Sequence, residues 1–234
     1  MAVSFPQSPV ASGTSAFATD GIDALSFASA ASVGDRVYVG ISLTATNRTI
    51  TSVVDDGSNT YTLVSDGTDS ATIELGAAGV ELWLYAADVT TTMQTVTATI
   101  SSALASPSIW FIVVVRGQHA STPDEDVATA TQPTATTSHP CGPVSTASAD
   151  SGLIGFIAGT NGTYNNESGW TSIYSNTNFH AAYRTIGAAS TTWTVATPGN
   201  ENTASVLLAI APAAAGGFQA AWARGANILH GASA

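Results

Sequence analysis

The chain has 234 residues, with five Arg and no Lys against 16 Asp plus Glu, which gives a formal net charge of −11. Charged residues make up 9% and apolar residues 44% of the chain, which excludes an acidic disordered protein. Five scattered arginines cannot form the basic face that a nucleic-acid-binding protein needs. The absence of Lys also excludes chemistry that depends on a reactive lysine.

A chain of this length can bury roughly 70–75% of its unfolded surface, and a β-sandwich of this size commonly forms one domain. The single cysteine, Cys141, excludes an intrachain disulfide. The longest strongly apolar run, 109–115, is too short to span a membrane as a helix. The N-terminal residues lack the basic and apolar regions of a secretory signal. We therefore expect neither membrane insertion nor export by the general pathway.

Short runs of β-branched and aromatic residues, separated by Gly, Asn, Asp, Ser and Pro, predict an all-β fold. No segment of helical length shows a clear 3.6-residue period. The predicted strands are, in chain order, 36–43, 50–54, 60–64, 80–86, 94–101, 109–115, 153–158, 169–174, 179–186, 192–196 and 204–210, with a further candidate at 25–28.

Four of these strands carry more specific predictions. The turn cluster at 55–59, Asp-Asp-Gly-Ser-Asn, predicts a hairpin between 50–54 and 60–64 because its residues tolerate positive φ. The run 109–115 is almost continuously apolar, which predicts a central strand buried on both faces or a strand packed under an arm. Alternation in the first strand places four apolar side chains on one face, namely Val37, Val39, Ile41 and Leu43.

Three segments are predicted to be irregular. Residues 1–20 are interpreted as an N-terminal arm, and 117–150, with four prolines among Ser, Thr and Ala, as a long loop. Residues 213–234 are interpreted as a C-terminal arm, because a linker-like Ala and Gly stretch precedes several large apolar residues. The remaining part, 21–212, is expected to form a single β-sandwich domain.

A sequence pattern extends over about residues 30–212. Its most distinctive segments are Gly-Asp-Arg-Val-Tyr-Val at 34–39, Ile-Thr-Ser-Val-Val-Asp at 50–55, Asn-Thr-Tyr-Thr at 59–62, Glu-Leu-Trp-Leu-Tyr at 81–85, Val-Thr-Ala-Thr at 96–99, Gly-Trp-Thr at 169–171, Thr-Trp-Thr at 192–194 and the run 204–210. In this order the segments resemble the jelly-roll β-sandwich domains of structural proteins in tailed-bacteriophage virions.

The resemblance implies a jelly-roll-like antiparallel β-sandwich with extended terminal arms. It implies a non-enzymatic capsid decoration or cement protein, made in the host cytoplasm, that lies on the outer surface of the capsid and bridges neighbouring subunits. The implied partners are the major capsid protein or other virion subunits. A homo-oligomer is expected, with a trimer as one option.

The candidate metal ligands are few. Asp55 and Asp56 could ligate calcium through their carboxylates, but a hairpin turn is the favoured interpretation, and Asp124 and Asp126 belong to an acidic cluster that is better explained as a solvated loop tip. The four histidines are widely spaced, and Cys141 has no partner in a metal-binding motif. The sequence therefore predicts no metal site, no cofactor and no catalytic residue.

Trp83 and Tyr85 are two residues apart and share one face of a predicted strand. If that face is exposed, the two rings could stack on sugars, which would make the protein a glycan- or receptor-binding module of a tail or a surface adhesin. The alternative is that an arm or a second sheet covers them.

The C-terminal arm holds the candidate subunit-interface residues. Phe218 and Trp222 are four residues apart and would lie on one face of a short helix, and Arg224 is one of only five cations. Ile228 and Leu229 continue the apolar character. The arm could dock on its own domain or on a neighbouring subunit. A third interpretation is a surface-layer or filament subunit whose arm completes a neighbour's sheet.

Overall fold

The computed structural model describes residues 2–8, 10–13, 17, 20–43, 48–67, 71–75, 80–103, 108–146, 148, 150–159, 163–165, 168–176, 178–186 and 189–213. These residues contain strands and turns but no helix, and every strand pair is antiparallel. The all-β prediction is therefore confirmed. The jelly-roll connectivity implied by the resemblance stays a prediction.

The strands form three sheets. They are β1 (Ser4–Gln7), β2 (Val10–Gly13), β3 (Ile22–Ala31), β4 (Arg36–Leu43), β5 (Ile50–Asp55), β6 (Thr62–Leu63), β7 (Thr72–Leu75), β8 (Val80–Asp88), β9 (Met93–Ile100), β10 (Ser108–Arg116), β11 (Asp124–Thr146), β12 (Ser151–Gly159), β13 (Thr171–Ser175), β14 (Phe179–Ile186) and β15 (Ala189–Ile210).

The seven-stranded central sheet has the order β1-β10-β4-β8-β6, with β2 also paired to β10 and β7 to β8. Its strands β4 and β10 are buried on both faces, which the continuous apolar run at 109–115 predicts for β10. A Cβ at Gly40 would clash with the Phe111 ring, so the absence of a side chain there lets the ring pack on β4. The central sheet is thus the middle layer of the molecule.

A three-stranded sheet, in the order β3-β9-β5, covers one face of the central sheet. Val37, Val39, Ile41 and Leu43 all enter the core between these two sheets, which confirms the alternation predicted for β4. The predicted hairpin across 55–59 is wrong, because β5 pairs with β9 whereas β6 pairs with β8 in the central sheet. The turn therefore carries the chain from one sheet to the other.

A five-stranded sheet, in the order β11-β15-β12-β14-β13, covers the other face of the central sheet. The core between them is apolar and includes Phe111, Phe156 and Phe179, whose ring centroids lie 5.7–6.3 Å apart. The loop predicted for 117–150 is wrong over most of its length, since β11 runs through 124–146. The short polar residues and prolines of this segment are typical of a loop, so the sequence did not predict the long strand.

The β11–β15 pair is longer than the sheet to which it belongs. Residues 124–132 and 203–210 pair within the sheet, and 138–146 pair with 189–196 beyond irregularities near 133–137. The second part, which we call the folded-back ribbon, returns over the outer face of its own sheet, because Trp193 lies 2.5 Å from the Cβ position of Gly155 and the amide of Ser145 donates to Asp126 (2.6 Å). It forms a fourth layer with its own core.

The described residues of the N-terminal arm lie where all three sheets meet. Strands β1 and β2 pair with β10 of the central sheet. The amide of Val3 donates to the carbonyl of Asp150 (3.0 Å), beside the five-stranded sheet, and Phe5 stacks on Tyr183 at 4.4 Å. The side chain of Gln7 exchanges two hydrogen bonds with the backbone of Ser29 in β3. This arm is therefore bound to its own domain.

Candidate functional site

The candidate site is a cleft of about 380 Å³ at one end of the central sheet. The start of β4, the end of β8, residues 65–67 and residues 121–124 line it. Because β11 begins at Asp124, the cleft lies at the junction between the central and the five-stranded sheets. Its walls carry three carboxylates, from Asp66, Asp88 and Asp124, and one guanidinium, from Arg36.

Arg36 organises the wall of the cleft. Its side chain donates from Nε to the Tyr38 hydroxyl (3.1 Å), from Nη1 to Asp88 (2.8 Å) and from Nη2 to Asp124 (2.7 Å). The Tyr38 hydroxyl in turn donates to Asp124 (2.7 Å). Arg36 and Asp88 are direct cross-strand partners, and Arg36 and Tyr38 lie two residues apart on one face of β4. The network therefore ties the two sheets together.

Burial and charge act against each other in this network. Burial raises the pKa of the Asp124 carboxyl, although Arg36 and the hydrogen bond from Tyr38 act to lower it. Burial acts to lower the pKa of the Arg36 guanidinium, but Tyr38 and the carboxylates of Asp124 and Asp88 raise it above its ordinary value. Burial and the neighbouring Asp124 raise the pKa of Tyr38. The arginine therefore stays charged and fixed.

The arrangement suits the binding of a cationic group better than proton transfer. Both oxygens of Asp124 already accept hydrogen bonds, from Tyr38 and Arg36. The side chain of Asp88 is 56% exposed, so it can accept a further donor from outside. The carboxylates outnumber the single cation, which leaves the cleft negatively charged.

The turn at 55–59 uses its acidic side chains for folding. Asp55 accepts hydrogen bonds from the backbone amides of Gly57 (2.9 Å) and Asn59 (3.0 Å). The Asn59 side chain is in turn hydrogen-bonded to the backbone of Thr90 and Thr91. Asp56 accepts from the amides of Gln94 and Thr95 at the start of β9. These bonds agree with the interpretation of this segment as a turn.

The other two candidate metal ligands, Asp124 and Asp126, form hydrogen bonds with different parts of the molecule. Asp124 belongs to the Arg36 network, and Asp126 accepts from the folded-back ribbon. Within the part of the chain that the structure describes, no three His, Cys, Asp or Glu side chains lie close enough to hold a metal ion.

Two of the four histidines are buried at the folded-back ribbon, His139 within it and His180 on β14 beneath it. His139 is bonded on both ring nitrogens, to Thr197 (3.1 Å) and Thr203 (3.0 Å), and burial lowers its pKa despite the nearby Glu201. His180 stacks on Trp193 at 5.9 Å, and burial lowers its pKa to about 4. Burial also raises the pKa of the Cys141 thiol to about 11. These groups are structural components of the fourth layer.

Trp83 and Tyr85 lie on one face of β8, as the strand pattern predicts, opposite Leu82 and Leu84. Both are half-buried, and they pack against the core under the three-stranded sheet. That sheet therefore covers them only in part. Stacking on a glycan stays a prediction. The subunit-interface candidates Phe218, Trp222, Arg224, Ile228 and Leu229 lie outside the described residues.

The sequence interpretation missed Arg36, Tyr38, Asp66 and Asp88. One signal was available, because an arginine two residues from a tyrosine on a buried strand needs an acidic partner. Its partner Asp124 lies 88 positions away, and nothing local identifies it.

No family model, curated protein or solved structure matches this chain. Among the described residues, no helix is long and apolar enough to cross a membrane.

Proposed function

We propose that the protein is a non-enzymatic structural component of a bacteriophage particle, a decoration or cement protein that bridges subunits of the shell. The all-β fold is consistent with the resemblance over 30–212. The observation that carries the proposal is that the N-terminal arm is bound within its own domain, which leaves residues 214–234 as the bridging candidate. The N-terminal arm contacts all three sheets, and Ala213, the last described residue, is followed by 21 further residues.

Those 21 residues supply the bridging chemistry. They contain Phe218, Trp222, Ile228 and Leu229, and large apolar side chains are typical anchors of protein interfaces. The chain has a net charge of −11, which favours an outward position away from packaged nucleic acid. Because binding would rest on apolar anchors, attachment to the particle should persist in moderate salt.

The test is add-back to particles that lack the protein. We expect the full chain to bind in a fixed copy number and to raise the temperature at which the shell releases its genome. The double variant Phe218→Ala/Trp222→Ala should lose at least about tenfold in affinity, since two anchors are removed. The variant Gln219→Ala, which changes a polar residue between them, should bind like the wild type. Failure of the wild-type chain to bind particles would contradict the proposal.

A second candidate is glycan binding by Trp83 and Tyr85, which the half-exposed position of both rings on one face of β8 favours. Glycan-array binding that Trp83→Ala abolishes, together with no binding of the wild-type chain to particles, would support this function in place of cementing. Leu82→Ala is an unsuitable control because that residue is buried, whereas the exposed Thr51→Ala serves the purpose.

A further inference from the structure

Strand β11 is an edge of the five-stranded sheet. In the described part of the chain, β15 is the only strand that pairs with it, and from Asp126 to Gln132 this pairing has no register shift. Thr129 and Thr131 are exposed in this stretch. A sheet edge presents backbone amides and carbonyls with which a further strand can pair. This stretch of β11 therefore offers a template for another strand.

Two hydrogen bonds show which backbone groups of β11 face its open edge. The amide of Val127 donates to the Asp66 side chain (3.2 Å), away from β15, whereas the carbonyl of Ala130 accepts from a serine hydroxyl on β15 (3.4 Å). Backbone groups alternate in direction along an antiparallel strand. The amides and carbonyls of Thr129 and Thr131 therefore point away from β15, toward the open edge.

The other sheet edges carry features that hinder such pairing. Strand β1 contains Pro6, strands β2, β6 and β7 have four residues or fewer, and β13 has five residues with a register irregularity. On β3, the Gln7 side chain is hydrogen-bonded to the backbone of Ser29. Strand β5 ends at Asp55. The stretch 127–132 of β11 has neither a proline nor a charge.

The charge of the molecule favours a second copy of the chain as the partner at this edge. The chain has a net charge of −11, so two copies repel each other wherever their acidic surfaces meet. The stretch 127–149 contains no Asp, Glu, Arg or Lys. A basic partner, which the net charge attracts, finds no carboxylate along this stretch. Two identical antiparallel edges are also self-complementary, because a twofold axis relates them.

The backbone groups of the edge determine the register of such a pair. Val127 already uses its amide, and Pro133 has none, so Thr129 and Thr131 are the residues of this stretch that offer both an amide and a carbonyl to the open edge. When Thr129 lies opposite Thr131 of the partner subunit, each of these amides has a carbonyl as its acceptor. No amide or carbonyl of the two threonines is then left unpaired.

We propose that the protein forms a twofold-symmetric dimer in which β11 pairs with β11 of a second copy, centred on Ala130. In this register Asp126 lies opposite Thr134 of the partner subunit, which keeps the carboxylates of the two copies apart. Threonine pairs across strands add to the stability of the ladder. The two five-stranded sheets become one continuous sheet. The dimer is a property of the isolated chain and does not depend on the proposed function.

Sedimentation of the purified full-length chain tests the dimer. We expect a weak monomer–dimer equilibrium, because one pair of strand edges buries little area. Raised salt should strengthen it, since screening reduces the repulsion between two chains of charge −11. A chain that stays monomeric up to about 1 mM would overturn the proposal. Dissociation by salt would also overturn it, because the interface would then depend on charges.

A charged side chain at the edge should prevent the pairing. We expect Thr129→Lys to weaken dimerisation at least about tenfold, since lysine on an edge strand opposes edge-to-edge pairing. The matched control is Thr171→Lys, which makes the same change in charge at an exposed residue of β13, the opposite edge of the sheet. The control should dimerise like the wild type. Equal losses in both variants, or a loss in the control alone, would contradict the assignment to β11.

A disulfide tests the register without a change in charge. In a Cys141→Ala background, Ala130→Cys places two cysteines across the twofold axis at a Cα separation of about 4.5 Å, which a disulfide can bridge. Gln132→Cys, also half-buried on β11, separates the two cysteines by about 14 Å. We expect Ala130→Cys to form covalent dimers at least about tenfold faster. Equal rates, or faster linkage through Gln132→Cys, would overturn the proposed dimer.

Discussion

The core between the central and five-stranded sheets differs in composition from the core beneath the folded-back ribbon. The first is purely apolar at its centre, where Phe111, Phe156 and Phe179 meet. The second contains two buried histidines, and the indole nitrogen of Trp193 has no hydrogen-bond partner within the described part of the chain. The first core should therefore contribute a free energy of unfolding that does not depend on pH. The contribution of the second core should depend on pH, because it contains the two histidines.

The largest expected effect is in the apolar core. Phe111→Ala should lower the free energy of unfolding by about 3–5 kcal/mol, because it removes a fully buried ring and leaves a cavity. Urea denaturation should show this as a loss in a single transition. Val33→Ala, at a residue that is 65% exposed, should stay within about 0.5 kcal/mol. A small loss at Phe111 would mean that this core is less rigid than its packing indicates.

The next effect is the pH dependence of stability, which we expect only from the core that contains the histidines. The folded protein binds a proton on His180 only near pH 4, whereas the unfolded chain binds it near pH 6.5. Acid therefore favours the unfolded state across this interval, and stability should fall by roughly 2–3 kcal/mol between pH 6.5 and 4. His139 acts in the same direction. His180→Gln should flatten the urea-midpoint profile, and an unchanged profile would show that the ribbon opens without affecting the rest.

The smallest effect compares two tryptophans that are both fully buried. The indole of Trp110 donates to Asp23 (2.9 Å), whereas the indole of Trp193 has no such bond among the described residues. Both changes to Phe remove similar ring volume, so the difference isolates the hydrogen bond. Trp110→Phe should cost about 1 kcal/mol more than Trp193→Phe. Equal costs would indicate that a water molecule serves Trp193.

The strands with the strongest patterns could be predicted from the sequence, and the long polar ones could not. Alternation identified β4, and continuous apolar character identified β10 as central, because burial on both faces excludes polar residues. Strand β11 was not predicted, because one side of it faces solvent and its prolines and threonines are typical of a loop. The hairpin at 55–59 failed because turn residues show where a chain reverses but not which sheet it joins next.

The candidate site was less accessible to prediction than the fold. The acidic segment at Asp124 was noticed, but its role depends on Arg36 from a strand 88 positions earlier. Register between distant strands determines such a pair. A single sequence carries no local trace of that register.

The position of the N-terminal arm has a consequence for synthesis on the ribosome. Val3 and Phe5 are made before their contact partners Asp150, Tyr183 and Thr185, which follow them by 147 to 182 residues. At 5–20 residues per second, these partners are made roughly 7–36 s after the arm. Strand β1 can therefore pair with β10 as soon as β10 is made, whereas its contacts beside the five-stranded sheet form only later.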